Sequence, residues 1–366
     1  MRLSSIELKN YRNYREIHID FDKNVTIFFG DNAQGKTNIL EAVYVCATTK
    51  SHRSAKDRDL IYFGEDEAHI KMILSDEEKK TRIDMHIKKN KNKGIAVDGI
   101  MLKKASELFG YLNVVFFSPE DLHIIKNGPA DRRKFVDCEL CQLDKIYLYN
   151  MVNYNKILNQ RNRLLKDIGF RPDYEELLEI YDEQLGKFGN QVIAARKNFI
   201  SQLNDIVSNI HENLSGGNES LKIIYEPDTE EGMIEESLKK NRERDIRTKT
   251  TNTGPHRDDI SFMINGIDIR RFGSQGQQRT AALSLKMAEI NLVEHVTGNK
   301  PILLLDDVLS ELDSNRQNYL LNSIQDIQTL ITCTGLDDFV NNRFHIDRVY
   351  RVTGGHIVEK GMKGLL

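Results

Sequence analysis

Eight residues near the amino terminus have the composition of a phosphate-binding loop. They read Gly-Asp-Asn-Ala-Gln-Gly-Lys-Thr at positions 30–37, after an apolar run at 25–29 and before a helical apolar pattern at 38–48. In this order of strand, loop and helix, backbone N–H groups hold anionic oxygens, the lysine reaches the β- and γ-phosphates, and the threonine hydroxyl is a ligand for Mg²⁺. We therefore predict an ATP site formed by Gly30, Asp31, Asn32, Ala33, Gln34, Gly35, Lys36, Thr37 and Asn38.

A second candidate anion site lies at residues 272–279, which read Phe-Gly-Ser-Gln-Gly-Gln-Gln-Arg and open a predicted helix at 280–295. Glycines allow close approach of the backbone, and a helix N-terminus favours negative charge. One nucleotide does not need two such loops from one subunit. The simplest interpretation is that this loop receives the γ-phosphate of a nucleotide bound by another subunit, through Ser274, Gln275, Gly276 and Gln277.

Two carboxylates follow a buried strand pattern at residues 301–305. Asp306 fits the role of a Mg²⁺ ligand together with Thr37, and Asp307 is placed to orient or activate an attacking water. Ser-Glu-Leu-Asp at 310–313 opens the next helix, and residues 330–334 form another core strand. The predicted catalytic residues are thus Lys36, Asp306 and Asp307, with Thr37 and Asp306 as metal ligands.

The elements that position these residues begin with two alternating strand patterns, at 3–8 and 17–21. The turn between them, Asn-Tyr-Arg-Asn-Tyr-Arg at 10–15, either places Arg12 beside the nucleotide or is simply a solvated hairpin end. The local pattern leaves both interpretations open.

The middle of the chain has a different composition. From about residue 130 to 213, Gly and Pro are sparse and apolar residues recur every three or four positions, in stripes at 143–165 and 177–210 separated by residues 169–173. Two helices of ~35 to 40 residues, roughly 50 to 60 Å long, would form an antiparallel arm. We predict an α/β fold: an amino-terminal lobe at 1–122, an inserted helical arm at 123–218, and a carboxy-terminal lobe at 219–366.

Composition restricts where nucleic acid could bind. The formal net charge is −3, with 29% charged and 39% hydrophobic residues, so any basic surface is local. Residues 79–104 hold nine Lys or Arg against two acids, which fits either a solvated hairpin tip or a polyanion contact. The charged face of the predicted helical arm is likewise either solvated or in contact with DNA. The candidate DNA contacts are Lys88, Lys89, Lys91 and Lys93 in the hairpin, and Arg132, Arg133, Arg161 and Arg163 on the arm.

Other classes of protein find little support. No apolar run approaches the ~18 residues of a membrane helix, and Met1 leads directly into a strand pattern, so we expect a cytosolic protein without membrane contact. Cys138 and Cys141 form a C-x-x-C, typical of half a zinc site or a redox pair. Because no second Cys or His pair lies nearby, small half-buried side chains on a helix are the favoured interpretation.

The order of these parts resembles the ABC-type ATPase head of the SMC and DNA-repair branch, with a phosphate loop, an inserted helical arm, a signature loop and an acidic strand end. More narrowly, it resembles the RecF family of bacterial recombination mediators. The motifs that carry this resemblance span nearly the whole chain and lie at residues 8–14, 30–37, 51–53, 117–122, 254–259, 274–279 and 304–307.

The resemblance implies ATP-dependent head-to-head dimerisation, binding of double-stranded DNA near gaps and at junctions with single strands, and cooperation with RecR and RecO to load RecA. It implies that Arg12 and Asn13 contact the nucleotide, and that Ser274 and Gly276 contact the partner's γ-phosphate. ATP and Mg²⁺ are the implied ligands.

Three departures from the ABC pattern predict a weak ATPase, converting ATP and water to ADP and phosphate, that acts as a switch and timer rather than a motor. Asp307 stands where many such ATPases have Glu, no Gln is evident at 118–120, and no His follows the strand that ends at Thr334. The alternatives are a transporter ATPase subunit, another SMC-like chromosome protein, or a P-loop enzyme acting on a small molecule. The last of these leaves residues 274–279 unexplained.

Overall fold

The computed structural model describes residues 1–53, 55–76, 79–167, 175–336 and 346–360, which belong to two compact units. The first unit is Met1–Asp121 with Glu289–Leu366, and the second is Leu122–Ala288. Residues 219–288 therefore pack with the helical stretch, whereas the sequence suggested a separate lobe from 219 onward. The physical reason is that β9 of this segment packs on α5, the longest helix of the second unit, and β10 packs on α3.

Within the described residues the main elements alternate along the chain as follows. The strands are β1 (Arg2–Tyr11), β2 (Tyr14–Asp20), β3 (Val25–Phe29), β4 (Glu67–Ser75), β5 (Lys80–Lys88), β6 (Gly94–Val97), β7 (Ile100–Met101), β8 (Val114–Phe117), β9 (Leu221–Glu226), β10 (Asp259–Ile264), β11 (Ile267–Asp268), β12 (Ile302–Asp306), β13 (Thr329–Cys333), β14 (Arg348–Thr353) and β15 (His356–Lys360). The helices are α1 (Lys36–Thr48), α2 (Leu122–Lys126), α3 (Pro129–Leu143), α4 (Lys145–Asp167), α5 (Glu175–Leu214), α6 (Ile234–Lys240), α7 (Arg242–Thr248), α8 (Ile269–Phe272), α9 (Gln275–Thr297) and α10 (Ser314–Ser323).

A six-stranded, mostly parallel sheet organises the first unit. Its strand order is β15-β14-β3-β13-β12-β8, and only β15 pairs antiparallel to its neighbour. The central strands are continuous apolar runs because both faces of such a sheet are covered. All the parallel strands end at one edge, so the segments that follow β3, β12 and β13 are brought together there.

The second sheet of this unit is antiparallel, with the order β2-β1-β4-β5-β6-β7. Side chains of β4 and β5 alternate between buried and accessible, as expected for a sheet with one solvated face. The buried face joins one apolar core that also includes α1, and α1 contacts strands of both sheets. The glycine loop (residues 30–37) is therefore followed by a helix that is held by both sheets.

Antiparallel helices dominate the second unit. Contacts pair Arg161 of α4 with Asp182 of α5 and, nearer the connection, Leu165 with Leu178, so the two helices run in opposite directions. The predicted turn at residues 169–173 lies outside the described residues. Across the described part of the chain, no helix is both long and apolar enough to cross a membrane.

The predicted pair of long helices is wrong in its first half. The helical stretch breaks at Asp144, where α3 ends, and the Asp144 carboxylate accepts a hydrogen bond from Ile146 N–H at the start of α4. α4 has 23 residues rather than the ~35 to 40 that were predicted. On α5 the predicted stripe is displaced by one position at its start, because Leu177 and Ile180 are 42% and 52% exposed while Leu178 is fully buried.

Burial of Arg161 contradicts its predicted role in DNA binding. The side chain is 0% exposed, and its guanidinium donates to Asp182 and Asp245, both at 2.7 Å, and to the Thr251 hydroxyl at 3.0 Å. Sequence reasoning could not find this because Asp245 and Thr251 lie more than eighty positions away along the chain. Arg163, two positions later on the same helix, is exposed and stays a candidate.

Replacing Arg161 with Ala should lower the free energy of unfolding by about 3–5 kcal/mol, because buried Asp245 loses its counter-ion and buried Asp182 keeps only Arg242. The matched control is Arg163→Ala, an exposed arginine on the same helix, which should change stability by less than about 0.5 kcal/mol. Urea unfolding followed by circular dichroism measures both. Equal stabilities for the two variants would contradict a structural role for Arg161.

Candidate nucleotide-binding site

Two glycines fix the path of the loop between β3 and α1. Gly30 and Gly35 have φ of 148° and 112°, in the region that favours glycine. A Cβ on Gly30 would lie 2.4 Å from the Val352 carbonyl oxygen of β14, and one on Gly35 would lie 2.3 Å from Asn13 Nδ2. The loop is thus packed closely on both sides, which holds its backbone in one conformation.

Lys36 begins α1 and is only 6% exposed. Its Nζ atom donates to the carbonyl oxygens of Gly30 at 2.6 Å and Asp31 at 2.8 Å, so the ammonium group lies across the loop. An ammonium in this position supplies positive charge where the loop's N–H groups would receive phosphate oxygens. The predicted roles of Gly30, Asp31 and Lys36 are therefore compatible with their geometry.

Three oxygen-bearing side chains meet at the carboxyl edge of the parallel sheet. The hydroxyls of Thr37 on α1 and Thr332 on β13 each donate to Asp306 Oδ1 at 2.7 Å. Hydroxyl and carboxylate oxygens are hard ligands of the kind Mg²⁺ prefers. The donor set of Thr37 and Asp306 therefore fits the predicted metal. Thr332 was not predicted, although a polar residue near the end of a buried strand is a usable signal.

Asp307 adopts a left-handed backbone conformation, with φ of 53°. Its N–H donates to both the carbonyl and the hydroxyl oxygen of Thr332 at 3.1 Å, which holds the turn in place. Burial raises the pKa of the Asp307 carboxyl, with Lys36 opposing the rise and Asp306 adding to it. A carboxylate with a raised pKa beside a phosphate loop suits the predicted work of orienting or activating a water.

Asparagine and glutamine side chains buttress the loop from behind. Asn13 Nδ2 donates to the Gln34 carbonyl at 2.9 Å, and Asn38 Nδ2 donates to Asn13 Oδ1 at 2.8 Å. Gln34 Oε1 accepts from Gly354 N–H, at 2.6 Å, in the turn between β14 and β15. Asn13 therefore holds the loop's backbone directly and Asn38 acts through Asn13, a supporting role that the motif alone does not reveal.

Arg12 forms an ion pair with a buried glutamate. Its guanidinium contacts Glu41 of α1 at 2.6 and 2.7 Å and also donates to the Asp59 carbonyl at 2.8 Å. Burial pushes the pKa of Glu41 up, but the hydrogen bonds from Arg12 and Ser51 outweigh it and hold that pKa below its usual range. The contact between Arg12 and the nucleotide stays a prediction, and its established partner in this structure is Glu41.

The loop at residues 272–279, called the signature loop below, belongs to the second unit. Ser274 caps α9: its N–H donates to Gln277 Oε1 at 2.9 Å, and its hydroxyl accepts from Gln277 N–H at 3.2 Å. This reciprocal pair is a capping box. Ser274, Gln275 and Gly276 are exposed, and a Cβ on Gly276 would meet only Ser274 Oγ, at 3.8 Å. Nothing among the described residues therefore requires glycine at 276.

The basic hairpin contributes fewer accessible charges than predicted. Lys93 is 11% exposed and donates to the Thr49 carbonyl and to Asp57 at 2.8 Å, which contradicts a role in DNA contact. Lys88 and Lys89 pair with Glu67 and Asp66 at 3.4 and 3.6 Å and remain accessible. Lys91 is exposed. Three of the four predicted lysines are thus available to a polyanion.

Arg132 and Arg133 at the start of α3 contact the motif that precedes β10. Arg132 is 1% exposed and binds both carboxylate oxygens of Asp259 at 2.7 and 3.0 Å, which contradicts its predicted contact with DNA. Arg133 donates to the Asp258 carbonyl at 2.6 Å, and burial lowers its pKa. Both side chains therefore brace this motif.

The motif at 254–259 contains a buried polar hub at Asp258, while Arg257 in the same motif is exposed. Asp258 accepts from Arg196 at 2.8 Å, from Asp228 N–H at 2.9 Å and from the Tyr225 hydroxyl, and burial raises its pKa although Arg196 opposes the rise. His256 Nε2 faces the Thr251 carbonyl at 3.0 Å, so that nitrogen carries the hydrogen and Nδ1 accepts from the Tyr154 hydroxyl at 2.7 Å. His256 and Asp258 therefore stabilise the fold of this segment.

Cys138 and Cys141 are half-buried on α3, and none of the four cysteines forms a disulfide. Among the described residues, no cluster of three or more His, Cys, Asp or Glu could hold a metal. The packing interpretation of the C-x-x-C is the one these observations support.

Comparison with known proteins identifies the family. The model of the RecF/RecN/SMC N-terminal domain matches residues 2–357. Two curated relatives named DNA replication and repair protein RecF are each 59% identical: that of Lachnospira eligens covers 98% of this chain and 100% of its own length, and that of Lachnoclostridium phytofermentans covers 99% and 100%. The chain belongs to the RecF family.

Solved structures agree with this assignment and confirm the predicted fold class. A structure of the RecF recombination mediator with ATP, in the RecFOR pathway, matches with a TM-score of 0.92 and 37% identity over 98% of both chains. An SMC head bound to the C-terminal domain of ScpA, from Pyrococcus furiosus, matches with a TM-score of 0.58 and 17% identity over 99% of this chain and 97% of that one, a likeness of fold. This RecF-family chain therefore has the ABC-type head with an inserted helical arm.

Replacing Gly35 with Ala should weaken ATP binding by the RecF-family chain roughly tenfold or more, because about 1–3 kcal/mol of backbone strain adds to a displaced Asn13. Gly64→Ala is the matched control: Gly64 has φ of 93°, but no atom lies within 4 Å of its Cβ position. Titration with a fluorescent ATP analogue measures both affinities. Equal losses in the two variants would refute the specific packing of Gly35 against Asn13.

Proposed function

We propose that this chain binds ATP and Mg²⁺ and hydrolyses ATP slowly, as a switch that controls dimerisation on DNA during recombinational repair. The observation that carries the proposal is the meeting of Thr37, Asp306 and Thr332 beside Lys36 at one sheet edge. The RecF structure with ATP supports the choice of nucleotide.

Each residue has a separate task in this mechanism. The loop's N–H groups and Lys36 bind the phosphates, while Thr37 and Asp306 hold the metal. Mg²⁺, when bound, neutralises charge on the β- and γ-phosphate oxygens. Asp307 orients the attacking water and accepts its proton, and its short side chain supports a slow reaction.

The exposed signature loop supports completion of the site by a second copy. Ser274 to Gly276 are accessible at the N-terminus of α9, where unpaired N–H groups favour an anion. Since Gly276 has open space around it, its lack of a side chain serves an approach from outside the chain. In the proposed dimer, each signature loop closes the nucleotide site of its partner.

We infer association with DNA from the names of the relatives rather than from overall charge. The curated relatives are named for DNA replication and repair, and a RecF structure is described within the RecFOR pathway. We propose that the ATP-bound dimer clamps double-stranded DNA near gaps, with Lys88, Lys89 and Lys91 as phosphate contacts, and acts with RecR and RecO to load RecA. These relatives give no support to a transporter.

Mixing two inactive variants tests the shared site. Lys36→Met subunits cannot hold nucleotide productively, and Ser274→Arg subunits cannot close a partner's site, so neither should hydrolyse ATP alone. When the two variants are mixed in equal amounts in the presence of DNA, the mixture should hydrolyse ATP at roughly a quarter of the wild-type rate. Half of the randomly formed dimers contain one subunit of each variant, and each of these has one complete site out of two. Phosphate release measures this, and no recovery would refute closure by the partner.

Replacing Lys88, Lys89 and Lys91 together with Gln should reduce the steepness of the plot of log affinity for DNA against log salt by up to ~2.7, since each phosphate contact contributes about 0.9. Lys222, Lys239 and Lys240 are exposed residues of the second unit, and replacing them with Gln gives a control with the same change in charge. Fluorescence anisotropy at several salt concentrations measures both. An unchanged slope in the first variant would exclude the hairpin.

A further inference from the structure

A line of hydrogen bonds joins the end of α5 to the signature loop, entirely within the second unit. His211 Nε2 lies 3.2 Å from Glu219 Oε2, and Gln277 Nε2 donates to Glu219 Oε1 at 2.9 Å. The same Gln277 side chain accepts from Ser274 N–H through its other end, at 2.9 Å. Glu219 is therefore connected to Ser274, the cap of α9, through a single side chain, that of Gln277.

The direction of each bond follows from the chemistry of Glu219. An ionised carboxylate only accepts hydrogen bonds, so both groups that face it must donate. His211 therefore carries a hydrogen on Nε2, and Gln277 turns its amide nitrogen towards Glu219. That orientation leaves Gln277 Oε1 as the acceptor for Ser274 N–H, which is what the capping box requires. Reversing the amide would break the bonds at both of its ends.

His211 anchors the line to the interior. Its side chain is fully buried on α5, and its Nδ1 lies 3.0 Å from the hydroxyl of Ser284 on α9. Ser284 in turn donates to the Thr280 carbonyl at 2.8 Å, one turn from the signature loop. The segment that carries Glu219 is also tied locally, since the Ser215 hydroxyl faces the Glu219 carbonyl at 3.4 Å. Glu219 is thus held through its carboxylate by His211 and Gln277, and through its backbone carbonyl by Ser215.

This arrangement changes the role expected for Gln277. Both ends of its side-chain amide are engaged inside the chain, which fixes the orientation of the amide and leaves one of its two N–H donors for another partner. The groups left facing solvent are the Ser274 hydroxyl and the first N–H groups of α9, on exposed residues. Gln277 fixes the direction in which these groups point.

We propose that Glu219 is a positioning residue for ATP hydrolysis in the partner subunit. It acts through Gln277, and His211 holds it in place. Glu219 thereby keeps the signature loop in its closing conformation before the partner binds. The inference rests on the proposed dimeric ATPase. A loop that is ordered in advance loses less conformational freedom on closure, so dimerisation and hydrolysis are favoured.

The first test uses the nucleotide-free full chain and does not depend on dimerisation. In Glu219→Ala, amide hydrogen exchange of the peptide over residues 272–279 should be roughly 2- to 10-fold faster than in the wild type, because the acceptor that orients Gln277 is lost. Glu219→Gln keeps an oxygen for Gln277 and should restore most of the protection. Glu212→Ala is the matched control, an exposed acid beside His211, and should exchange like the wild type. Unchanged exchange in Glu219→Ala would overturn the proposal.

The second test locates the defect in the signature loop. Glu219→Ala should bind ATP as the wild type does but hydrolyse it more slowly. Mixed with Lys36→Met, whose signature loop is intact, it should regain hydrolysis at one composite site, whereas mixed with Ser274→Arg it should not. Recovery with neither partner, or equal recovery with both, would overturn the proposal. If wild-type chains do not dimerise with ATP, the proposed function fails, and the exchange experiment still decides whether Glu219 orders the loop.

Discussion

The candidate site depends on one hydrogen-bonded junction, in which Asp306 accepts from Thr37 and Thr332 through a single oxygen. The junction joins the helix after β3 to the ends of β12 and β13, three elements far apart in sequence. Parallel strands make this meeting possible because all of their carboxyl ends lie at one edge. The second carboxylate oxygen of Asp306 is not used by these two bonds, so the junction can hold the strands together and still offer a ligand to a cation.

In the second unit the main constraint is the pairing of charged side chains that are buried in its interior. Arg161 and Arg196 are almost fully buried and each contacts two carboxylates. A buried ion pair gives little net stability, but removing one partner is costly because a lone charge remains in a medium of low polarity. Loss of either arginine would therefore destabilise the second unit. Asp258 is one of the carboxylates that pair with Arg196, and this pair holds the segment that precedes β10.

Sequence patterns predicted the structure where residues that are neighbours along the chain determine it. The strand, glycine loop and helix around Lys36, and the acidic strand end at Asp306, follow from patterns a few residues long, and both have the predicted surroundings. The failures concern partners that only the fold supplies. Lys93 and Arg132 look like surface charges in sequence, but Asp57 and Asp259 meet them in the folded chain. The break at Asp144 was missed because a capping aspartate inside a continuous apolar pattern differs little from a solvent-facing one.

The two halves of the proposed site are prepared in different ways, and the difference bears on how a switch would work. The glycine loop is fixed by packing: Gly30 and Gly35 leave no room for a side chain, and Asn13 holds the backbone. The signature loop is exposed and lacks such walls, so its order depends on a short line of polar contacts through Gln277 to Glu219. A hydrogen-bonded line weakens steeply when its geometry is lost. Because His211 of α5 belongs to this line, a shift of α5 would disturb the order of the signature loop within the second unit.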